Sequence, residues 1–129
     1  MSYIYSKVDD LENTDKVGSK QCVALVQHYA KLPQTIAWKE GAVVMGSTTI
    51  VKGTAIASFV DGKYKNLPTG NHAGFYISQD AAGIWIMDQW ADNIRKPKVS
   101  KRYLRRKGKS KEGVYVDPSN NAEAYSVID

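Results

Sequence analysis

The pattern of apolar residues in the first third of the chain predicts one amphipathic helix. Its apolar face repeats every three or four residues and consists of Cys22, Leu25, Val26 and Tyr29. Ser19 stands where an N-cap is expected, and Pro33 predicts that the helix ends near Lys31 or Leu32.

After Trp38 the pattern changes to short β-rich segments separated by turn residues. The predicted strands are Val43–Met45, Thr48–Val51, Thr54–Val60, His72–Ser78, Ile84–Trp90, Val114–Val116 and Ala124–Ile128. Residues 66–71 (NLPTGN) predict a loop, and residues 79–83 (QDAAG) predict a turn. One early helix packed on a mostly antiparallel sheet is an α+β fold.

Length and composition indicate one globular domain that spans residues 1–129. Apolar residues make up 43% of the chain and charged residues 24%, which excludes a disordered or fibrous protein. No apolar run reaches the ~18 residues of a membrane span, and residues 1–15 lack the basic start and apolar stretch of a secretory signal. We therefore expect a protein made in the cytoplasm, without a signal peptide and without membrane insertion.

The single cysteine limits the chemistry. It excludes an intramolecular disulfide and zinc sites built from several cysteines, and no metal or cofactor is expected. Cys22 lies in the first turn of the predicted helix, where unpaired backbone N–H groups and the helix dipole favour a thiolate. The Gln21 side chain could donate a hydrogen bond to a developing oxyanion. The alternative interpretation of Cys22 is a small residue of the core.

A nucleophilic thiol needs a base, and the chain has two histidines. His28 lies six residues after Cys22, on the opposite side of the same helix, and is predicted to be a surface residue. His72 begins a strand directly after a loop, where a side chain can face the N-terminus of a helix. His72 is therefore the candidate base, with a hydrogen-bonded strand histidine as the alternative.

Asp88 interrupts the apolar strand IWIMDQW, and a charge there needs a partner. In a hairpin centred on Asp80, Asp88 and His72 lie opposite each other, because each is eight residues from the centre. A turn centred between Ala81 and Ala82 instead places Gln89 on the same face as His72 and turns Asp88 to the other face. The sequence leaves both registers open, and Asp88 is preferred because a carboxylate stabilises an imidazolium better than an amide does.

These segments resemble a known family. KQCVALVQ, GNHAGFYI and GIWIMDQW resemble, in that order, the Cys, His and Asp segments of NlpC/CHAP-type cysteine amidohydrolases, compact relatives of the papain fold. The stretch GTAIASFVDGKY is similar, more narrowly, to bacterial type VI secretion amidase effectors, small toxins that cut peptidoglycan peptides in the periplasm of rival cells. The resemblance covers about residues 18–90, and the closing SNNAEAYSVID is also similar.

The resemblance implies a papain-like domain in which Cys22 is the nucleophile, His72 the general base and Asp88 the residue that orients the imidazole. The implied partners are a peptidoglycan peptide substrate, the type VI secretion apparatus and a cognate immunity protein. The implied place of action is the periplasm of target bacteria. The bond that is cut stays open between the D-Ala–diaminopimelate crosslink, which the resemblance favours, and the D-Glu–diaminopimelate stem bond.

Residues 95–111, the basic segment, carry ten lysines or arginines and no acidic residue, whereas the rest of the chain has eight basic and thirteen acidic residues. This segment could follow anionic peptidoglycan, face an acidic immunity protein, or be a solvated loop. It also supports an alternative function, a small nucleic-acid or polyanion-binding module. That alternative gives no role to Cys22, His72 and Asp88, so no nucleic-acid partner is expected. A further alternative is an inactive relative that keeps the fold as a binding domain.

Overall fold

The computed structural model describes residues 2–129, which contain one α-helix and six β-strands. The helix α1 spans Cys22–Ala30. The strands are β1 (Glu40–Val43), β2 (Ala55–Ser58), β3 (Ala73–Gln79), β4 (Gly83–Asp88), β5 (Ser100–Arg105) and β6 (Tyr125–Ile128). Short 3-10 helices lie at Val8–Leu11, Thr35–Ala37, Pro118–Asn120 and Ala122–Ala124.

The six strands form one antiparallel sheet in the order β1-β6-β2-β3-β4-β5. On one face, Leu25 of α1 belongs to a buried cluster with Phe75 and Met87. A second buried cluster, which includes Ile86 and Tyr125, lies on the opposite face because neighbouring strand residues point to opposite sides. The predicted α+β class is confirmed. Within residues 2–129, no helix is long and apolar enough to cross a membrane.

The helix starts later than the sequence predicts. Gln21, in an extended conformation, is the N-cap, and Ser19 lies two residues earlier, where its hydroxyl accepts a hydrogen bond from the Gln21 N–H (3.4 Å). The predicted end is confirmed: Lys31 caps α1 in the left-handed conformation (φ 59°) two residues before Pro33. Because α1 begins at Cys22, the cysteine lies at the N-terminus of the helix, where backbone N–H groups have no partner within the helix.

Five of the seven predicted strands overlap β1, β2, β3, β4 and β6. The strands predicted at Thr48–Val51 and Val114–Val116 are wrong. In the first of them a turn forms because the Ser47 hydroxyl accepts a hydrogen bond from the Thr49 N–H (3.3 Å). In the second, only an isolated antiparallel bridge forms, between Lys109 and Tyr115, and next to it the Ser110 N–H donates to the Val114 carbonyl (2.7 Å).

The basic segment contains a strand that the sequence analysis did not predict. Six of its residues form β5, which pairs with β4 over its whole length at the edge of the sheet. Lysines and arginines are common on edge strands because their charge prevents further strand pairing. The segment is therefore not simply a solvated loop, and the alternation of β5 turns Arg102 towards the same face as Asp88.

Candidate active site

Cys22 lies half-buried at the start of α1 and faces a cavity of about 540 Å³. The cavity walls are the beginning of α1, the loop at residues 66–71, Tyr64, His72 and Trp90. The Tyr64 hydroxyl is 3.6 Å from the Cys22 sulfur, and the backbone of Ala73 also hydrogen-bonds to that sulfur. The helix thus presents its thiol to an open cleft, as a nucleophile requires.

His72 is held on the other side of the thiol, immediately before β3. Its backbone N–H donates to the Ser58 hydroxyl (3.0 Å), which ties the residue to β2. The buried imidazole hydrogen-bonds through Nε2 to Asp88 Oδ2 (2.7 Å), and it lies near enough to the Cys22 thiol for the two groups to shift each other's pKa. Because Nε2 is engaged by the carboxylate, Nδ1 is the nitrogen that serves the thiol. The three predicted site residues therefore form one connected chain.

The turn of the β3–β4 hairpin is centred between Ala81 and Ala82, the second of the two registers considered from the sequence, and pairs Gln79 with Ile84. A bulge between Tyr76 and Ser78 shifts the pairing by one residue, so that Phe75 pairs with Met87, and continuation of that register places His72 opposite Trp90. Asp88 is thus a diagonal neighbour of His72 on the same face rather than its direct partner, and the carboxylate reaches the imidazole across that diagonal. The contact between the two side chains is as predicted, but the turn centred on Asp80 from which it was derived is wrong. The bulge, and not the turn, places Asp88 on the face of His72.

The carboxylate of Asp88 is fully buried and lies among cationic groups. Arg102 Nε donates to Oδ2 (2.6 Å), the oxygen that also accepts from His72. Lys96 Nζ forms an ion pair with the other carboxylate oxygen, Oδ1, at 2.8 Å. Among the described residues, no group donates a hydrogen bond of regular geometry to Oδ1. Lys96 and Arg102 were not predicted as site residues, although a carboxylate in an apolar strand beside a basic segment was a signal that could have found them.

Burial and charge act against each other on the pKa values of these groups. Burial alone would raise the pKa of Cys22, but its hydrogen bond to His72 and the charge of the imidazolium lower it below its usual value. Burial alone would lower the pKa of His72, but its hydrogen bonds to Asp88 and Cys22 raise it to about 9. Burial opposes the ionisation of Asp88, but His72, Arg102 and Lys96 hold its pKa well below the usual range. The site therefore favours a thiolate beside an imidazolium more than the separate groups would in water.

Gln89, the reserve candidate for orienting His72, has a different position. Its buried side chain points towards the segment that precedes α1. There Nε2 donates to the carbonyls of Val17 (3.1 Å) and Gln21 (2.8 Å), and Oε1 accepts from the Val17 N–H (3.0 Å). Gln89 thus fixes the backbone that carries Cys22, and Asp88 alone of the two contacts the imidazole.

The other sequence-predicted residues have simpler outcomes. His28 is exposed, as predicted, and Gln21 lies on the cavity wall with an exposed side chain. In residues 2–129, no three or more His, Cys, Asp or Glu side chains come together in a way that could hold a metal ion. Tyr64 was not considered as a site residue because nothing in its local sequence distinguishes it.

A thiol at the start of a helix, a histidine beside it at the edge of a sheet and a buried carboxylate behind that histidine form the arrangement of a papain-like thiol hydrolase. The family model "Domesticated amidase effector 2" (Dae2) matches residues 5–128. The chain belongs to this amidase effector family, as the resemblance predicts.

Individual relatives agree with the family match. "Type VI secretion amidase effector 2 protein" from Salmonella typhi is 48% identical, and the match covers the full length of both chains. The solved structure "Type 6 secretion amidase effector 2 (Tae2)" superposes with a TM-score of 0.93 at 48% identity and covers 98% of this chain and 94% of that chain. The predicted papain-like fold and amidase class are confirmed, and the nucleic-acid alternative receives no support.

Proposed function

We propose that this chain hydrolyses peptide bonds of bacterial peptidoglycan, with Cys22 as the nucleophile, His72 as the general base and acid, and Asp88 as the residue that orients His72. The observation that carries the proposal is the continuous contact from the thiol through the imidazole to a buried carboxylate. A thiol in the core or a structural histidine would not need this order of contacts or an open cleft beside the sulfur.

In the first half of the reaction, the Cys22 thiolate attacks the carbonyl carbon of the substrate amide and forms a carbon–sulfur bond. The negative charge that develops on the carbonyl oxygen faces the N-terminus of α1, where the Cys22 backbone N–H is positioned to donate. The carbon–nitrogen bond then breaks as the imidazolium of His72 transfers its proton to the leaving amine. The products of this half are a free amine and a thioester on Cys22.

In the second half, neutral His72 accepts a proton from water, and the resulting hydroxide attacks the thioester carbon. The carbon–sulfur bond breaks and releases the carboxylate product together with the thiolate. Asp88 stays ionised throughout, because His72, Arg102 and Lys96 hold its pKa low. Its carboxylate therefore stabilises the imidazolium each time His72 gains a proton.

The cleft beside Cys22 is large enough for a peptide segment. Its volume of about 540 Å³ lies within the usual range of ligand sites, and Leu67, Pro68 and Trp90 provide apolar walls. The Asn71 side chain closes the loop at residues 66–71 through hydrogen bonds to the backbone N–H and carbonyl of Leu67. Within peptidoglycan, the resemblance favours the D-Ala–diaminopimelate crosslink as the bond cut, over the D-Glu–diaminopimelate bond.

Delivery by type VI secretion into rival bacteria follows from the effector class of the relatives. We place the site of action in the periplasm of the target cell, where peptidoglycan is exposed, and expect the producer to need an immunity protein. Export of the chain to the periplasm should then be lethal, whereas cytoplasmic expression should be tolerated. Lethality in the cytoplasm would contradict the proposed substrate.

Digestion of purified Gram-negative peptidoglycan by wild type and Cys22→Ala, with fragments resolved by chromatography and mass spectrometry, tests the activity and the bond together. We expect wild type to convert crosslinked dimers to monomers and Cys22→Ala to leave them intact while keeping its fold.

A matched pair of histidine variants controls for general damage. His72→Ala should lose activity, whereas His28→Ala, which removes the exposed histidine of α1, should keep it. A folded Cys22→Ala protein that releases fragments at the wild-type rate would overturn the proposal.

A further inference from the structure

The buried carboxylate of Asp88 is shared by more positive groups than a catalytic carboxylate needs. His72 and Arg102 bind Oδ2 at 2.7 and 2.6 Å, and Lys96 lies 2.8 Å from Oδ1. With two cationic side chains around one carboxylate, Asp88, Lys96 and Arg102 have a formal net charge of +1 before His72 takes a proton. Orientation of an imidazole by a carboxylate does not by itself require this surplus.

Contacts with the surrounding chain fix the position of Lys96. Its residue is only 3% exposed, although a lysine can usually extend its ammonium group into water. Nζ donates to the Ser100 hydroxyl (2.6 Å) and carbonyl (3.1 Å) and lies 4.8 Å from the centre of the Trp90 ring. The Asp92 carboxylate accepts two backbone hydrogen bonds in the intervening turn. The loop after β4 therefore returns the ammonium group to Asp88.

Arg102 arrives from the opposite direction, on β5. Its guanidinium donates to the Asn120 side chain (2.8 Å) as well as to Asp88, and lies 5.1 Å from the Trp90 ring. The same aromatic ring stands edge-on to the imidazole of His72, with 6.1 Å between the ring centres. Both cations are thus fixed around the Asp88–His72 contact and are separated from the thiol by it.

We propose that Lys96 and Arg102 are positioning residues that act through Asp88 to set the proton affinities of Cys22 and His72. This inference rests on the proposed function. A buried carboxylate with no other partner would hold the imidazolium too firmly, yet the general acid must release its proton to the leaving amine. Two fixed cations draw charge from the carboxylate and oppose the imidazolium, and they also favour the thiolate.

The remaining titratable groups around Cys22, His72 and Arg102 are two tyrosines and Asp117, whose carboxylate interacts with the charge of Arg102. Tyr64 contacts the thiol from the loop before β3, and burial together with the neighbouring Cys22 raises the pKa of Tyr64 well above its usual value. Tyr125 lies buried on β6, and burial raises its pKa also. Both phenols stay protonated while the thiol and imidazole titrate, so Lys96, Arg102 and Asp88 are the charges that decide the two transitions.

The test is the pH dependence of Cys22 alkylation by iodoacetamide, which needs no substrate because the chain has one cysteine. In Lys96→Met and Arg102→Gln, we expect the thiol transition and the imidazole transition both to move upwards by about one pH unit. The sign is the same for both, since loss of a nearby positive charge disfavours the thiolate and favours the imidazolium. The pH profile of kcat/KM should move in the same direction.

Lys101→Met is the matched control, because Lys101 belongs to the same basic segment, is exposed, and has its ion-pair contact with Glu12 at 3.9 Å. Its profile should superpose on that of wild type. Lys96→Arg and Arg102→Lys keep the charge and should shift the two transitions less than the neutral variants do. If a neutral variant does not fold, the charge-conserving variant at the same position is compared with wild type instead. Slower alkylation in the neutral variants without any movement of the transitions would overturn the inference. If the thiol and imidazole transitions shift as expected but the wild-type protein leaves peptidoglycan intact, only the proposed function is overturned.

Discussion

Asp88→Asn isolates the negative charge at the centre of the site. The substitution keeps the size of the side chain and one oxygen that can accept the hydrogen bond from His72, but it removes the charge. It also leaves the buried Lys96 and the half-buried Arg102 without the carboxylate that they contact. Because truncating one partner of a buried ion pair leaves the other charge uncompensated, we expect a loss of stability of about 3–5 kcal/mol.

The effect on His72 follows from the balance of burial and charge. The pKa of His72 lies at about 9 instead of the usual 6.5 because the hydrogen bonds to Asp88 and Cys22 outweigh burial. At pH ~7.5 the imidazolium then exceeds the neutral imidazole by about 30 to 1. Without the carboxylate, burial and the two cations dominate and the pKa falls below 6.5, so the neutral imidazole exceeds the imidazolium by at least about 10 to 1. The imidazolium-to-imidazole ratio changes by a factor of about 300 or more.

The same shift predicts how stability depends on pH. A histidine whose pKa is raised by folding contributes stability that is fully present below the unfolded value of about 6.5 and is lost as the pH rises through about 9. In Cys22→Ala, where the thiol no longer titrates, the free energy of unfolding should fall by up to about 3 kcal/mol over this interval. Adding Asp88→Asn should abolish that fall.

The assays are a histidine NMR titration and urea unfolding at several pH values. The two histidine signals are assigned with His28→Gln. Asp9→Asn removes the same charge from an exposed surface pair with Lys52 and should leave the titration of His72 unchanged. An Asp88→Asn protein in which His72 still titrates near pH ~9 would refute the reasoning, because the raised pKa would then have another source.

Three further changes test how the site is held. Gln89→Leu removes three buried hydrogen bonds to the segment before α1, so urea unfolding should show a loss of about 2–4 kcal/mol and kcat should fall while KM is retained. Gly83→Ala places a methyl group 2.0 Å from the Leu104 carbonyl oxygen, so β4 and β5 must move apart and thermal unfolding should reveal a loss of at least about 1–3 kcal/mol. Tyr64→Phe removes the hydroxyl beside the sulfur, so the pKa of Cys22 should rise and alkylation at neutral pH should slow.

Each of these expectations has an outcome that contradicts it. For Gln89→Leu it is a loss of activity explained entirely by a higher KM, since the anchor acts on the nucleophile and not on substrate binding. For Gly83→Ala it is wild-type stability, which would mean that the backbone accommodates the methyl group. For Tyr64→Phe it is an alkylation profile identical to that of wild type.

The helix and the central hairpin could be predicted because their signals are local. The spacing of the apolar face around Leu25 and Val26 is set within nine residues, and the alternation in β3 is set within seven. Asp88 was recognisable because a carboxylate in an otherwise apolar strand has to be paired. These residues carry their information in their immediate neighbours.

The remainder of the site depends on contacts that are distant in sequence. Lys96 and Arg102 look like two members of a uniformly basic segment. The loop after β4 brings Lys96 to Asp88, and the pairing of β5 with β4 brings Arg102 there, and neither contact can be read from the sequence. Tyr64 meets Cys22 across 42 residues without a motif that predicts the contact. The bulge in the hairpin could not be read from the sequence either, because the alternation of side chains is compatible with several turn positions.

Asp88 and Gln89 are consecutive residues whose side chains point to opposite faces of the sheet. Asp88 holds the imidazole of His72 and Gln89 holds the backbone that leads into α1, so the proposed base and the proposed nucleophile are both fixed from the end of one buried strand. The side-chain contacts that hold the imidazole and the start of α1 therefore come from the end of β4 and not from the loop at residues 66–71. Substitutions in that loop should therefore change which peptides enter the cleft more than they change the alignment of Cys22 and His72.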